Sequence, residues 1–250
     1  MVRLRRYEAR TAKPVYPYLL RGEHRTLLID SGMRATPAEI LLPGLARDGL
    51  EPGQPSDGVI THADGAARVL IEDLSRLIRE RYEVAGAWVR QVGGEARPAG
   101  HLLYWVEQDT AFVGDGLLGH GEDALHGTLH APPSDLKVNY LQSVQRVRRL
   151  NPARLVFAHR EALEGTAVQA FLGESEAWVR EVDLNLRASR RRPGGATRRE
   201  LLREHAGSFG RYNVPGDLMY AFAAHPDALE AAGTLRSEPD QGVQRSRWAG

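Results

Sequence analysis

The chain has 250 residues, with 33 Lys plus Arg against 32 Asp plus Glu, which gives a formal net charge of +1. This near-balance argues against a general nucleic-acid binder and against an acidic disordered tail. The sequence contains no cysteine, which excludes disulfides, thiolate zinc sites and a cysteine nucleophile. Any metal must therefore be held by His and carboxylate side chains.

The hydropathy of the sequence predicts no membrane-spanning helix, and we expect no membrane partner. No apolar run approaches the roughly 20 residues that a membrane-spanning helix requires. The longest apolar segments, such as HLLYWV at 101–106, have the length of a strand. The N-terminal ten residues carry charges without a following apolar block, so we predict no signal peptide and expect a cytoplasmic protein.

The first hundred residues carry alternating strand and helix signals. Two apolar stretches, VYPYLL at 15–20 and TLLID at 26–30, predict a hairpin that ends in the turn Asp-Ser-Gly at 30–32. The further elements predicted here are, in chain order, a short helix after Pro37, a strand at 59–61, a helix around 70–78 and a strand at 84–90.

The second half begins with strands at 101–107 and 110–115, which a tight turn joins into a hairpin. A loop rich in Gly, His and Pro is predicted at 116–134. The elements that follow are a helix from Ser134 or Asp135 with the apolar face Leu136, Tyr140, Val144 and Val147, a strand at 154–158, a helix over about 166–187, and two short helices within 200–238. The last dozen residues are polar, and we expect them to be frayed.

This order of elements predicts an α/β fold. Strands that alternate with helices but also form hairpins indicate two mixed sheets packed together, with helices outside. The segment 187–199 is dominated by Arg, Pro and Gly, which is typical of a linker. We therefore predict a main domain over 1–186 and a small C-terminal module over 200–250.

Four metal-competent side chains lie at ends of predicted strands. His62 and His159 each follow a strand. His101 opens a strand and Asp115 closes one. Because ligands gather at strand ends in α/β folds, we predict that these side chains converge on one site. Three imidazoles and a carboxylate suit Zn²⁺, and Asp64, two residues after His62, is able to join them.

Four segments resemble, in order, landmarks of the metallo-β-lactamase superfamily. These segments are YLLRGEHRTLLIDSG from Tyr18, VITHAD from Val59, GHLLYWVEQDTAFVGDGLLGHG from Gly100 and YLQSVQRVRRLNPARLVFAHREAL from Tyr140. They resemble the opening hairpin with its Asp-Ser/Thr-Gly turn, the Thr-His metal loop, the Gly-His strand and the segment of the last metal-binding His. The C-terminal module is similar to the winged-helix extension of a hydrolase branch.

The resemblance implies an αββα sandwich with a metal centre. The family motif has the form Thr-His-x-His-x-Asp-His, followed by a later His, a bridging Asp and a last His. Carried over residue by residue, His62 corresponds to the first motif His and His101 to the later His. Asp115 then corresponds to the bridging Asp, and His159 to the last His.

The motif loop departs from the family pattern, since it is Thr-His-Ala-Asp-Gly-Ala-Ala at 61–67. Without a gap, Asp64 stands where the second His is expected, and Ala66 and Ala67 replace the Asp-His pair. With a short deletion, Asp64 is itself the motif Asp. In either alignment at least two usual ligands are missing, which indicates a reduced, mononuclear site rather than a dinuclear one.

Other charged groups near these segments have two interpretations each. His120, His126 and His130 are able to replace a missing ligand, although solvated loop residues are the favoured interpretation. Arg160 stands where the family usually has Gly, and either brings a cation near the site or points to solvent. Seven Arg within 187–203 raise the question of nucleic-acid contact, which the overall charge disfavours.

Three functional hypotheses follow. The first is a hydrolase with one Zn²⁺ per chain, in which a metal-activated water attacks a small or carrier-bound ester, thioester or similar acyl substrate. Its ligands are His62, His101, Asp115 and His159, with Asp64 as ligand or general base, and Asp64 and Asp115 as the catalytic carboxylates. The second, nearly equal, is a metal-free relative that keeps the pocket for binding, a metal-independent reaction or partner assembly. The third is a nucleic-acid-binding protein or nuclease.

Overall fold

The computed structural model describes residues 3–10, 14–21, 26–30, 32, 35–51, 57–59, 82–84, 87–93, 103–106, 109–114, 116–123, 128–129, 137–188, 195–205, 225–240 and 242–248. The chain forms two compact units. One comprises 1–116 and 145–169, and the other comprises 117–144 and 170–250.

The strands within the described residues are β1 (Arg3–Arg6), β2 (Ala9–Arg10), β3 (Pro14–Val15), β4 (Tyr18–Arg21), β5 (Thr26–Ile29), β6 (Asp57–Val59), β7 (Tyr82–Val84), β8 (Ala87–Gly93), β9 (Leu103–Val106), β10 (Thr110–Phe112), β11 (Glu122–Asp123), β12 (Thr128–Leu129), β13 (Arg154–Val156), β14 (Leu163–Glu164), β15 (Leu235–Asp240) and β16 (Val243–Trp248). The helices are a π-helical turn (Pro37–Leu41), α1 (Leu42–Arg47), α2 (Lys137–Leu150), α3 (Thr166–Ala188), α4 (Arg198–His205) and α5 (225–231).

Two mixed sheets build the first unit. A four-stranded sheet has the order β1-β4-β5-β6, in which only the β5–β6 pair is parallel. A six-stranded sheet has the order β14-β13-β10-β9-β8-β7, in which only the β10–β13 pair is parallel. The predicted α/β fold with two mixed sheets is therefore confirmed.

The alternation of side chains along β4 explains how the smaller sheet is buried on both faces. On one face the ring of Tyr18 meets the ring of Phe112 from the larger sheet edge-on, with centroids 5.5 Å apart. On the other face Leu19 packs in an apolar cluster with Leu41 and Leu45, which come from the helical turn and α1. Helix α1 thus covers the outer face of a sheet whose inner face packs on its partner.

Several predicted elements of this unit are confirmed. Strands β4 and β5 form the predicted antiparallel hairpin, and the helical segment begins at Pro37 as expected. Strands β9 and β10 pair around Asp109, whose φ of 60° is typical of a tight turn. The strand predicted at 84–90 is confirmed over 87–90 by β8, whereas Val84 belongs to the preceding strand β7, which pairs with β8 in antiparallel fashion. The helix predicted around 70–78 lies outside the described residues.

The second unit contains the buried faces of two long helices. The apolar periodicity of α2 is confirmed, since Tyr140 and Val144 are buried within this unit. Helix α3 agrees with the predicted helix at 166–187, and Trp178 is its largest fully buried side chain. The loop predicted at 116–134 is wrong in part, because it contains the short antiparallel pair β11 and β12.

The C-terminal residues form a hairpin, so the prediction of a frayed end is wrong. Strands β15 and β16 pair over six residues each, and β16 also bridges to Ala196 through Ser246. Only one face of this hairpin is buried, with Leu235 and Ser246 on it. The opposite face carries charges such as Arg247 and Glu238, which lie 3.8 Å apart. A polar strand with one buried face resembles a frayed tail in composition.

Helix α4 begins with reciprocal capping. The hydroxyl of Thr197 accepts a hydrogen bond from the backbone N–H of Glu200, and the carboxylate of Glu200 accepts one from the N–H of Thr197. This arrangement satisfies two N–H groups that the first helical turn leaves without partners.

Among the helices that the structure describes, none is long and apolar enough to cross a bilayer.

We predict that Phe112→Ala destabilises the first unit strongly. Phe112 is 1% exposed and fills the space between the two sheets, so its removal should lower the free energy of unfolding by about 3–5 kcal/mol. The control is Leu42→Ala, which removes a side chain that is 43% exposed and should cost less than about 1 kcal/mol. Chemical denaturation measures both values, and equal losses would contradict the assigned packing.

Candidate functional site

The parallel pair β10 and β13 brings two strand ends to the same edge of the larger sheet. Phe112 is aligned with Val156, and the N–H of Val113 donates to the carbonyl of Val156 at 2.9 Å. His159 follows Val156 by three residues. Position 115 follows Phe112 by the same number, so the register aligns the chain positions of the two predicted ligands.

His159 occupies a buried position directly after β13. Its side chain is 4% exposed, and its Nε2 atom is inaccessible to solvent. The carbonyl of the preceding residue, Ala158, accepts a hydrogen bond from the N–H of Tyr16 at 2.8 Å. The imidazole of His159 is thus enclosed by protein directly after the end of β13.

Tyr18 connects the two sheets next to this position. Its hydroxyl donates a hydrogen bond of 3.1 Å to the carbonyl of Phe157, and its ring contacts Phe112. Burial raises the pKa of Tyr18 well above the ordinary value for tyrosine; the guanidinium of Arg6 opposes this rise, and the carboxylates of Glu161 and Asp30 add to it. The hydroxyl is therefore protonated at neutral pH and remains a donor.

A left-handed turn follows β5 close to Tyr18. Asp30 is 8% exposed with a φ of 60°, and Gly32 has a φ of 75°. A Cβ atom at Gly32 would lie 2.5 Å from Cγ2 of Thr36, so a larger residue does not fit. Because Ile29 is aligned with Val59 in the parallel pair β5–β6, this turn begins beside the end of β6, three residues before His62.

The predicted ligands are only partly covered by the described residues. His159 is described, whereas His62, Asp64, His101 and Asp115 lie outside the described residues. Within the part of the chain that the structure describes, no group of three or more His, Asp or Glu side chains is placed to hold a metal ion. The convergence of the five residues stays a prediction.

Charged and aromatic side chains surround the segment after His159. Glu161 accepts hydrogen bonds from Arg6 and from the hydroxyl of Tyr16, the latter at 3.3 Å. The guanidinium of Arg6 also lies over the Tyr16 ring, 4.7 Å from its centroid. Arg160 lies over the ring of Phe157 at 5.2 Å, which stabilises its charge by a cation–π contact.

Sequence reasoning missed the tyrosines of this region. Tyr16 and Tyr18 alternate in the segment VYPYLL, a spacing that puts two side chains on the same side of an extended chain. This spacing of two residues between the tyrosines is the sequence signal that could have pointed to them. It does not reveal their partners, because Phe157 is 139 residues from Tyr18 along the chain.

Two further groups from the sequence have partners in the second unit. The Nε2 atom of His120 lies 3.2 Å from a carboxylate oxygen of Glu181, and its ring lies 4.4 Å from that of Trp178. His126 and His130 lie outside the described residues. Arg198 forms an ion pair with Asp227, so this member of the Arg-rich segment has an internal partner. The triplet Arg190–Arg192 is not among the described residues.

Comparisons with known proteins agree with this architecture. A family model described as the metallo-beta-lactamase superfamily matches residues 10–65. A metallo-beta-lactamase family protein from Thermus thermophilus superposes with a TM-score of 0.68 at 19% identity, covering 98% of each chain. A beta-lactamase domain protein from Burkholderia ambifaria gives a TM-score of 0.72 at 16% identity, covering 99% of this chain and 91% of that one. No curated protein matches the chain in sequence.

The solved structures establish the fold, and the family model covers the opening hairpin, the turn at Asp30 and the sequence segment that contains His62 and Asp64. The chain therefore has the mixed α/β fold of these solved structures, and its first quarter matches the model of the metallo-β-lactamase superfamily.

We predict that Tyr18 makes stability depend on pH in the alkaline range. In the unfolded chain tyrosine loses its proton near pH 10, whereas folded Tyr18 keeps it. Its contribution is fully present below that pH and is lost as the pH rises, by about 1.4 kcal/mol per pH unit. Tyr18→Phe should therefore show a shallower fall than the wild type.

Chemical denaturation between about pH 9 and pH 12 measures both slopes. The slopes below about pH 9 serve as the control, because neither protein titrates a tyrosine there. Identical slopes above pH 10 in the two proteins would show that Tyr18 is not the responsible group.

Proposed function

We propose that this protein is a metal-dependent hydrolase with a reduced, mononuclear site that cleaves an ester, thioester or similar acyl substrate, small or carrier-bound. The observation that carries the proposal is the buried imidazole of His159 at the end of β13, beside the aligned end of β10. Burial of an imidazole is costly unless its ring nitrogens are bound by other groups, and a metal ion would be one such group.

The available donors fit a borderline metal such as Zn²⁺. His62, His101 and His159 supply imidazoles, and Asp64 and Asp115 supply carboxylates, which are the nitrogen and oxygen donors that zinc binds in proteins without cysteine. When bound in such a site, Zn²⁺ polarises a carbonyl group and lowers the pKa of water. The replacement of two usual ligands by Ala66 and Ala67 favours one metal rather than two.

The chain's own residues have distinct roles in this proposal. His62, His101, Asp115 and His159 would hold the metal, and the carboxylate of Asp115 would also serve as an acceptor for a water molecule at the site. Asp64 is either a further ligand or the general base that takes the proton from that water. Arg160 is held over Phe157, so we assign it no direct role in the reaction.

A second function is favoured by Ala66 and Ala67. These side chains cannot bind a metal or orient a nucleophile, so a chain that bears them could have lost hydrolysis while keeping its fold. In this case the pocket serves in binding, in a metal-independent reaction or in partner assembly. The two functions differ in metal content, which is directly measurable.

We also propose a division of the chain into a metallo-β-lactamase-like domain over 1–186, an Arg-rich linker over 187–199 and a small winged-helix-like module over 200–250. The end of the linker pairs with the module, because Ala196 bridges to Ser246 and α4 begins at Arg198. Support for the module comes from α4, α5 and the β15–β16 hairpin, which are a short helical pair followed by a two-stranded wing in chain order.

Metal content is the first test. Protein purified without chelator should contain about one transition-metal ion per chain by elemental analysis, and His101→Ala should lower this content because it removes a ligand. His120→Ala is the matched control, since it deletes an imidazole that contacts Glu181 and Trp178 instead.

The outcomes separate the two functions. Wild-type protein that binds no metal even after incubation with zinc would contradict the hydrolase and support the metal-free alternative. Equal metal loss in the His101 and His120 variants would contradict the ligand assignment while leaving the metal site itself.

The role of Asp64 is tested by Asp64→Asn. If Asp64 is the general base, turnover of a model thioester or aryl ester should fall roughly 10²- to 10⁴-fold while the metal content stays unchanged. If Asp64 is a ligand, metal content and turnover should fall together. A variant that retains both the metal and full turnover would exclude both roles.

A further inference from the structure

The backbone directly after the end of β13 is bound by one short segment that leads into β4 of the smaller sheet. The N–H of Tyr16 donates to the carbonyl of Ala158 at 2.8 Å, and the hydroxyl of Tyr18 donates to the carbonyl of Phe157 at 3.1 Å. Two successive carbonyls directly before His159 are thus bound by residues that lie two apart in the sequence.

The same tyrosine also contacts the neighbouring strand. Its ring meets Phe112 edge-on at 71°, in the contact range that stabilises aromatic pairs. Phe112 is the last residue of β10, three residues before Asp115. Tyr18 therefore touches the ends of both parallel strands that precede the predicted ligands, from the opposing sheet.

We infer that Tyr18 is a positioning residue for the proposed metal site, holding the ends of β10 and β13 in the arrangement that sets the affinity for the metal. The inference rests on the proposed function and adds a residue that does not itself bind the metal. Tyr18 acts through the backbone of Phe157 and the ring of Phe112, and it touches neither substrate nor metal.

The hydroxyl of Tyr18 is the part of this side chain that core packing does not explain. A phenylalanine would fill nearly the same volume, so packing alone does not require the oxygen atom. A hydroxyl that is buried without an acceptor costs free energy, and at 3% exposure this one is placed against a backbone carbonyl of the other sheet. The bond therefore fixes how the two sheets meet at the strand ends rather than how tightly the core is filled.

Metal affinity is sensitive to small displacements of ligands. Ligand distances in a working site vary by only about 0.2 Å, and loss of a supporting hydrogen bond behind a ligand typically weakens metal binding roughly 10- to 100-fold. Tyr18 supports the backbone two residues before His159 rather than its ring. We therefore expect an effect at the lower end of that range.

The experiment compares Tyr18→Phe with Tyr7→Phe in the full chain. Zn²⁺ affinity is measured by competition with a chromophoric chelator, and the ligand arrangement is followed by the visible absorption of bound Co²⁺. Tyr18→Phe should bind Zn²⁺ about tenfold more weakly and show a changed Co²⁺ spectrum. Tyr7→Phe removes a hydroxyl that donates to Asp48 at 2.8 Å in the same unit, and should leave both readouts unchanged.

A second variant covers the case in which Tyr18→Phe does not fold. Phe112→Leu keeps the Tyr18 hydroxyl but removes the aromatic contact, and should weaken Zn²⁺ binding measurably, by less than the roughly tenfold expected for Tyr18→Phe. Circular dichroism and the unfolding midpoint show whether each variant is folded before its affinity is compared.

The outcomes are distinguishable. Wild-type protein that binds neither ion overturns the proposed function and this inference together. Wild-type protein that binds Zn²⁺ with Tyr18→Phe unchanged overturns the inference and leaves the proposed function standing. An equal loss in Tyr7→Phe also overturns it, because the effect would then follow general stability.

Discussion

The parallel alignment of β10 with β13 is the constraint on which the candidate site depends. Antiparallel neighbours would carry their following residues to opposite edges of the sheet, whereas parallel neighbours deliver both to one edge. The register that aligns Phe112 with Val156 therefore determines that Asp115 and His159 follow strands ending at the same place. The β5–β6 pair in the smaller sheet is also parallel, so its two strands end at the same edge. Asp30 follows β5 directly, and His62 follows the last residue of β6 by three positions.

The two sheets meet at this edge through tyrosines rather than through aliphatic packing alone. The ring of Tyr18 contacts Phe112 of β10, and its hydroxyl donates to the carbonyl of Phe157. The backbone N–H of Tyr16 donates to the carbonyl of Ala158, and its hydroxyl donates to Glu161. A polar contact between sheets has a defined direction, which apolar contacts lack. It therefore adds a fixed orientation of the two sheets to the stability that the apolar core provides, and a fixed orientation is what the proposed metal site would require.

Local patterns predicted the elements whose signal lies within a few turns or one hairpin. The β4–β5 hairpin, the apolar face of α2 and the long helix α3 follow from periodicity, because each buries one face regardless of what covers it. Prediction was wrong at the C-terminus, where β15 and β16 form a hairpin. Its outer face is charged, and composition does not distinguish a half-buried polar strand from a frayed tail.

The sequence by itself determined the residue types that follow the strands, the absence of thiolate ligands and the presence of alanine at positions 66 and 67. Those facts depend only on which side chain stands at which position. Only the tertiary structure decided that the end of β13 is buried and that Tyr18 binds the carbonyl of Phe157, 139 residues away. Contacts across such a separation depend on strand order and register, which are set by the packing of the whole core rather than by any local pattern.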